Sequence, residues 1–182
     1  MPEPFASPLA SERFEVASRG DLVPGRLWQS AGGSGPRPLV LIVPALGASK
    51  DAREVETLAR SIAAEGWVAA AIDLPLQGER ASAKLSARLA ACAAQPPAAG
   101  GDRLLWEEFL RQTALDLGAT LEALARRRAF DAERVACVAY AQAAATEAWA
   151  ARATGVRLVL QAECDAAPED LVGLLRPALG AG

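Results

Sequence analysis

Short apolar runs recur along the chain and are the strongest indication of its fold. They cover Leu39–Val43, Trp67–Ile72, Arg134–Tyr140 and Val156–Gln161. Continuous apolar runs of this length are typical of strands that are buried on both faces of a parallel sheet. Segments with helical spacing of apolar residues separate the runs. This alternation predicts one α/β domain over residues 1–182, doubly wound, with a mostly parallel sheet, helices on both faces and right-handed crossovers.

The predicted helices carry start and stop signals. The first has Val55 and Ile62 on its apolar stripe, and Asp51 and Glu54 before it are spaced as a capping box. A long helix is predicted at about 102–128 and a shorter one at 142–153. The last helix is predicted over 168–175, with 177–182 as a tail.

The N-terminal part of the chain predicts an antiparallel hairpin. Residues 13–29 form two short strand patterns around the turn Arg19-Gly20-Asp21, and Pro24 restricts the second strand to a sheet edge or a bulge. We expect residues 1–12 to be flexible. Segment 81–101 is rich in alanine, proline and glycine, and it predicts a short helix followed by a mobile connection.

Composition excludes several classes of protein. The 182 residues have a formal net charge of −3, and 52% of them are apolar. No apolar run approaches the roughly 20 residues that span a bilayer, and the N-terminus lacks the segments of a secretory signal. Basic residues are scattered except for Arg126–Arg128, so no basic face for nucleic acid is indicated. We therefore predict a cytoplasmic protein without membrane or nucleic-acid partners.

Histidine is absent from the sequence. This absence removes the commonest general base, every Ser-His or Cys-His nucleophile and imidazole ligands for a metal. The three cysteines, Cys92, Cys137 and Cys164, are too widely spaced for a zinc knuckle or a disulfide framework. The sequence therefore predicts neither a metal nor another cofactor.

Four sequence motifs occur one after another along the chain. They are RGDLVPGRLW in the hairpin, LIVPALGASKD and AAIDLPLQGER after two buried strands, and VACVAYAQAAAT around the third. In this order the chain resembles the α/β-hydrolases, and most closely the dienelactone-hydrolase-like esterases. The resemblance covers about residues 13–175, which match the family's N-terminal two-thirds. It implies a truncated α/β-hydrolase fold with an N-terminal antiparallel hairpin.

The resemblance fails at the position of the nucleophile. The family's G-x-S-x-G elbow holds a serine on a sharp, strained turn between a strand and a helix. The matching stretch here is Ala139–Ala143, with Ala141 at the nucleophile position. Because alanines also replace the flanking glycines, we expect the elbow to relax into an ordinary turn. The alternative is an alanine-rich helix start that is unrelated to an elbow.

The remaining parts of the family's site are altered as well. Pro44-Ala45 stand where the oxyanion loop usually has His-Gly, but backbone N–H groups near Leu46 and Gln142 would survive that change. In the family's D-x-P-x-H-G stretch, Gln77 takes the histidine position and Asp73 keeps the acid. The resemblance implies that the triad's acid and histidine follow in later strands, and the chain ends before them. We thus expect no catalytic residue, and a small apolar ligand pocket formed by Leu46, Asp73, Gln77 and Gln142.

Other reactive groups have simpler structural interpretations. Ser49 is placed to cap the following helix, and Cys137 lies inside an apolar strand, where burial raises a thiol pKa. Neighbouring carboxylates disfavour a thiolate at Cys164. Asp73 and Glu79 resemble a catalytic carboxylate pair, but we expect a solvated, partly ion-paired turn there.

Two classes of function follow, with a third possibility beside them. The first is a catalytically silent domain that binds a partner protein or a small apolar ligand. The alternative is a serine-hydrolase-type esterase of the dienelactone hydrolase class, whose missing groups a partner supplies. The third is a decayed gene product without a selected role.

Strand 156–161 is the predicted edge of the sheet. Its unpaired backbone groups and apolar side chains favour a homodimer or a heteromeric partner. The alternative is a monomer in which the last helix, with Leu171 and Leu175, folds over the edge.

Overall fold

The computed structural model describes residues 9–31, 35–95, 97, 99–127, 130–141, 143–152 and 156–180. Its strands are β1 (Leu9–Ser18), β2 (Asp21–Ser30), β3 (Leu39–Val43), β4 (Val68–Ile72), β5 (Val135–Tyr140) and β6 (Val156–Ala162). Its helices are α1 (Arg53–Ala64), α2 (Ala83–Ala94), α3 (Gly100–Arg126), α4 (Ala143–Ala150) and α5 (Pro168–Leu179), with a single 3-10 turn at Gly78–Arg80. None of the described helices is long and apolar enough to cross a membrane.

The strands form one mixed sheet in the order β1-β2-β4-β3-β5-β6. The hairpin of β1 and β2 joins β4 antiparallel, whereas β4, β3, β5 and β6 run parallel. The predicted fold class, a mostly parallel sheet with an N-terminal antiparallel hairpin, is confirmed. The register aligns Ile42 with Ala71 on one side of β3, and Val43 with Ala139 on the other. The carboxyl ends of the three central strands therefore meet at one edge.

Helices cover both faces of the sheet. Successive strand residues point to opposite faces, so Leu41 and Val43 pack against α2, α3 and α4. Val40 and Ile42 pack against α1 and α5 on the other face. The doubly wound arrangement expected from the alternating pattern is thus present.

Two elements are longer than the sequence pattern predicts. Strand β1 begins at Leu9 rather than at residue 13, because residues 9–12 pair with 27–30 of β2. Helix α5 continues past its predicted end at residue 175 and includes Pro177, which was expected in a tail. Its last turn persists because Leu179 is buried under the sheet face and the N–H of Gly180 donates to the carbonyl of Arg176.

The segment predicted as a short helix and a mobile connection contains all of α2. Leu89 anchors this helix in the core, and Arg88 Nε donates to Asp102 Oδ1 at 3.0 Å at the start of α3. The mobility of the connection that follows α2 stays a prediction.

The predicted capping box before α1 is wrong. The N-cap residue is Ala52, and no side chain caps the helix. The Asp51 carboxylate instead accepts from Arg26 Nη1 at 2.9 Å. Ser49 Oγ accepts the N–H of Asp51 at 3.2 Å, so its hydroxyl stabilises the turn before the helix.

Candidate functional site

The turn after β5 keeps the backbone of a strained elbow. Ala141, the residue at the predicted nucleophile position, has φ +51° and is exposed between β5 and α4. The left-handed conformation costs an ordinary residue about 1–2 kcal/mol, so it is seldom adopted without a cause in the fold. The expectation that the elbow relaxes is therefore wrong. The side chain at this strained turn is a methyl group.

The sheet brings several predicted site residues to one edge. Asp73 directly follows β4, the turn containing Leu46 follows β3, and Ala141 follows β5. Because these strands are neighbours and parallel, the three segments lie side by side at the carboxyl edge. Leu46 is partly buried and packs against the core on the α3 face. Gln142 lies outside the described residues, so its predicted role stays a prediction.

Gln77 ties two of these turns together. Its side chain is buried, and its Oε1 accepts the N–H of Gly47 at 2.8 Å. Gly47 has φ +90°, a conformation that glycine adopts without steric penalty. The amide of Gln77 therefore joins the turn after β4 to the turn after β3.

Asp73 is the centre of a buried hydrogen-bond network. Its side chain is 0% exposed, and Oδ1 accepts the N–H of Lys50 at 2.9 Å. Oδ2 accepts both Lys50 Nζ and the N–H of Glu79, each at 2.9 Å. The solvated turn predicted for Asp73 and Glu79 is wrong for Asp73, whereas the Glu79 side chain is about half exposed, at 48%.

Lys50 is a buried cation at this edge that the sequence pattern does not single out. Its side chain is only 2% exposed, and Nζ lies 2.9 Å from Asp73, 2.6 Å from Glu79 and 3.3 Å from Asp51. Burial by itself lowers the pKa of this ammonium group, but the hydrogen bonds that it donates to Glu79, Asp73 and Asp51 outweigh burial and raise the pKa. Three acceptors match the three N–H donors of the ammonium group. The sequence gives no signal for this role, because it contains two lysines, Lys50 and Lys84, and Lys84 is exposed.

Two arginines extend this network towards the hairpin. Asp51 accepts from Arg26 at 2.9 Å and from Arg13 at 3.3 Å, and Arg13 also lies 3.3 Å from Glu79. Burial tends to raise the pKa of the Asp51 carboxyl, but Arg26 and Lys50 outweigh burial and hold it below its ordinary value. Three cations therefore face three carboxylates, and their charges balance within the cluster.

Arg80 forms a second buried ion pair beside the first. Its Nη1 donates to Asp116 Oδ2 at 2.7 Å and to the carbonyl of Asp73 at 3.1 Å. The turn between Asp73 and Arg80 requires glycine at position 78. Gly78 has φ +53°, and an added Cβ would lie only 2.3 Å from the Asp73 carboxyl carbon. The charged residues at this edge therefore hold the turn after β4 in place.

The chemistry that remains near the elbow is limited. Cys137 is fully buried, and desolvation raises its pKa to about 12, whereas Cys164 is exposed. Within the described ranges, no cluster of acidic residues and cysteines is arranged to hold a metal. Among the clefts that indent the described surface are ones of about 240–480 Å³, and Leu46, Asp73 and Ala141 do not line these. The predicted ligand pocket stays a prediction.

Solved structures show where this architecture occurs elsewhere. A cold-adapted esterase from an Arctic intertidal metagenomic library superimposes with a TM-score of 0.65 and 20% identity, over 99% of this chain and 71% of that one. The chain has an α/β-hydrolase fold. Two further solved structures share this fold.

One of these is a dienelactone hydrolase-like promiscuous phosphotriesterase from metagenomic libraries, with a TM-score of 0.60 and 21% identity. The other is a Klebsiella pneumoniae protein with the provisional name dienelactone hydrolase, with a TM-score of 0.61 and 18% identity. This chain spans 59% of each of them, and they cover 85% and 84% of it. No protein-family model matches the sequence, and no curated protein sequence matches it either.

Proposed function

We propose that this chain is a catalytically silent α/β-hydrolase domain that acts by binding. The observation that carries the proposal is Ala141, which holds the elbow backbone of the fold with a methyl side chain. A methyl group cannot attack a carbonyl carbon, and the sequence has no histidine to activate another nucleophile. Loss of triad groups lowers turnover by roughly 10⁴–10⁶-fold, which leaves only the contribution of the surrounding site.

The neighbouring groups support the same proposal. Asp73 is engaged by three donors and Lys50 by three carboxylates, so both are committed to the fold. Ser49 Oγ serves the turn before α1, and the thiol of Cys137 is buried. These positions therefore supply no replacement for the nucleophile.

Ester hydrolysis tests this proposal directly. We expect the wild-type chain to cleave p-nitrophenyl acetate no faster than the buffer, and Ala141→Ser to remain equally inactive because no base would deprotonate the new hydroxyl. Ala150→Ser on α4 is the matched control for the substitution. The proposal would be overturned if the wild-type chain hydrolysed the ester and substitution of one of its own side chains abolished that activity.

The alternative is an esterase whose missing groups come from a partner. The positive φ of Ala141 supports this alternative, since the backbone geometry that would present a nucleophile is retained. Its test is labelling of Ala141→Ser by a fluorophosphonate probe, alone and with proteins that co-purify with the wild-type chain. Labelling that requires the co-purifying protein would replace silent binding with this alternative.

For the binding mode we propose pairing of the β6 edge with a second copy. Strand β6 is the last in the described sheet, and Val156, Leu158 and Val159 are only partly buried. The apolar residues of α5 pack with α1 on one face of the sheet, which supports a β6 edge that is open to pairing. Edge-to-edge pairing of identical strands is self-complementary, which suits a symmetric dimer.

Sedimentation at micromolar concentration, together with hydrogen exchange, tests the dimer. We expect a dimer whose backbone amides at 157–160 exchange slowly, and faster exchange of the same amides on dilution. A monomer at all concentrations would show that β6 does not pair with a second copy.

A further inference from the structure

A cleft of about 480 Å³ lies between α3, α4 and the tip of the β1–β2 hairpin. We name it the α3–α4 cleft. Small residues of α3, namely Ala114, Gly118 and Ala119, together with Trp149 of α4, give it an apolar floor. Arg19 of the hairpin tip and Arg152, just beyond α4, stand at its rim. It is formed by a different set of residues from the Lys50–Asp73 network and from the elbow.

The floor is open because α3 has small side chains there. An added Cβ at Gly118 would meet only the indole of Trp149, at 3.7 Å and 3.9 Å, which is ordinary contact. The glycine is therefore not required by a steric conflict, and in mid-helix it is less favourable than alanine by about 1 kcal/mol. What Gly118 provides at this point is space.

The two arginines at the rim are exposed and uncommitted. Neither the Arg19 nor the Arg152 guanidinium makes a hydrogen bond or an ion pair with a described residue, although the guanidinium groups of most other described arginines do. Arg19 also occupies the first position of a two-residue turn with φ +51°, followed by Gly20 with φ +86°. Such turns favour asparagine, aspartate or glycine, so the arginine is not explained by the turn itself.

Two further groups affect the charge of the cleft. Glu122 lines the same cleft, and Arg126 lies 3.8 Å from its carboxylate, so that acid is offset locally. Trp149 is 3% exposed, and its Nε1–H has no hydrogen-bond partner among the described residues. Trp28 and Trp67 also have a buried Nε1–H without a partner among the described residues, so this donor does not by itself indicate a ligand, and Trp149 contributes an apolar ring to the cleft.

From these features we infer that the α3–α4 cleft binds an apolar molecule that ends in a carboxylate, such as a medium-chain fatty acid. The apolar body lies over Gly118, Ala119 and Trp149, and the carboxylate faces Arg19 and Arg152, whose guanidinium groups suit carboxylate geometry. The inference goes beyond pairing at β6 and beyond the silent elbow, and it fails or succeeds independently of both.

Isothermal titration calorimetry with decanoate below its micellar concentration tests this inference on the full chain. We expect saturable 1:1 binding, about fourfold weaker for each methylene removed from the ligand. Decanol, which has the same chain without the charge, is expected to bind more weakly. Equal affinity for decanol and decanoate would overturn the role of the two arginines.

Variants locate the binding. Arg19→Gln and Arg152→Gln are each expected to weaken decanoate by about 1.5–5-fold, as for exposed charge pairs, with Arg53→Gln as the matched control on another surface. Ala119→Phe fills the floor and is expected to abolish binding, with Ala125→Phe on the same helix as its control. Absence of saturable binding to the wild-type chain would refute the inference, and so would wild-type affinity in a variant that combines Arg19→Gln with Arg152→Gln. Both outcomes can be read even if Ala119→Phe fails to fold.

Discussion

Replacement of Lys50 by methionine measures what the buried charge network contributes to stability. Met has a similar length and no charge, so Lys50→Met leaves the carboxylate of Asp73 buried without its cation. Removal of one partner from a buried ion pair typically costs 3–5 kcal/mol. Asp73 keeps two backbone donors, from Lys50 and Glu79, which places the expected loss near the lower limit, at about 3 kcal/mol.

The assay is urea unfolding at pH 7, followed by far-ultraviolet circular dichroism and tryptophan fluorescence. In thermal unfolding of the same variant, a loss of about 3 kcal/mol corresponds to a decrease in Tm of roughly 6–12 °C for a domain of this size. Lys84→Met is the matched control, because Lys84 is exposed and has no ion pair with a described residue, and we expect a change within about 0.5 kcal/mol.

The network also predicts coupling between its members. In a double-mutant cycle of Lys50→Met and Asp73→Asn, the two losses should be non-additive by about 0.5–3 kcal/mol, since the second change removes a charge that the first has already left unpaired. If Lys50→Met unfolds within 1 kcal/mol of the wild-type chain, the reasoning that Lys50 is a buried structural cation is refuted.

Three further predictions concern the same edge and the cysteines. Gly78→Ala should destabilise the fold by more than Gly20→Ala, because both glycines have positive φ but only at Gly78 does the new Cβ meet a carboxylate; equal losses in urea would contradict this. The lowered pKa of Asp51 contributes stability that is present above the unfolded pKa of about 3.9 and is lost as pH falls through the folded value, so urea midpoints between pH 6 and 3 should fall more steeply in the wild-type chain than in Asp51→Asn. In native protein Ellman's reagent should modify Cys164 quickly and Cys137 only on unfolding; fast reaction of Cys137 would contradict its burial.

The sequence is sufficient to predict the order of strands and helices along the chain, because a strand that is buried on both faces of a sheet has an unbroken run of apolar residues. Leu39–Val43 and Val135–Tyr140 are fully buried in the structure, as their unbroken apolar runs indicate. The same signal located the turns that follow each strand. The position of Asp73 and Gln77 at the carboxyl edge of the sheet therefore follows from the sequence pattern.

The roles of those residues could not be predicted, because they depend on partners far away in the chain. Lys50 reaches Asp73 and Glu79 only after β3 and β4 pair, and a lone lysine in a loop ordinarily predicts an exposed side chain. Asp51 illustrates the same point. Its spacing to Glu54 is that of a capping box, but Arg26 from the hairpin provides a charged partner that a local pattern does not contain.

The elbow is the point at which local preference and the fold disagree most clearly. Nothing in an alanine-rich stretch favours a positive φ, and the sequence therefore predicted an ordinary turn. Two packed elements oppose that outcome: β5 is buried along its whole length, and α4 is anchored on α3 through Trp149, which lies against Gly118. The chain must turn sharply between them, because neither element can shift without loss of core packing. The strained backbone of Ala141 is then a consequence of the fold itself. A positive φ at this residue is therefore not by itself evidence of a catalytic role.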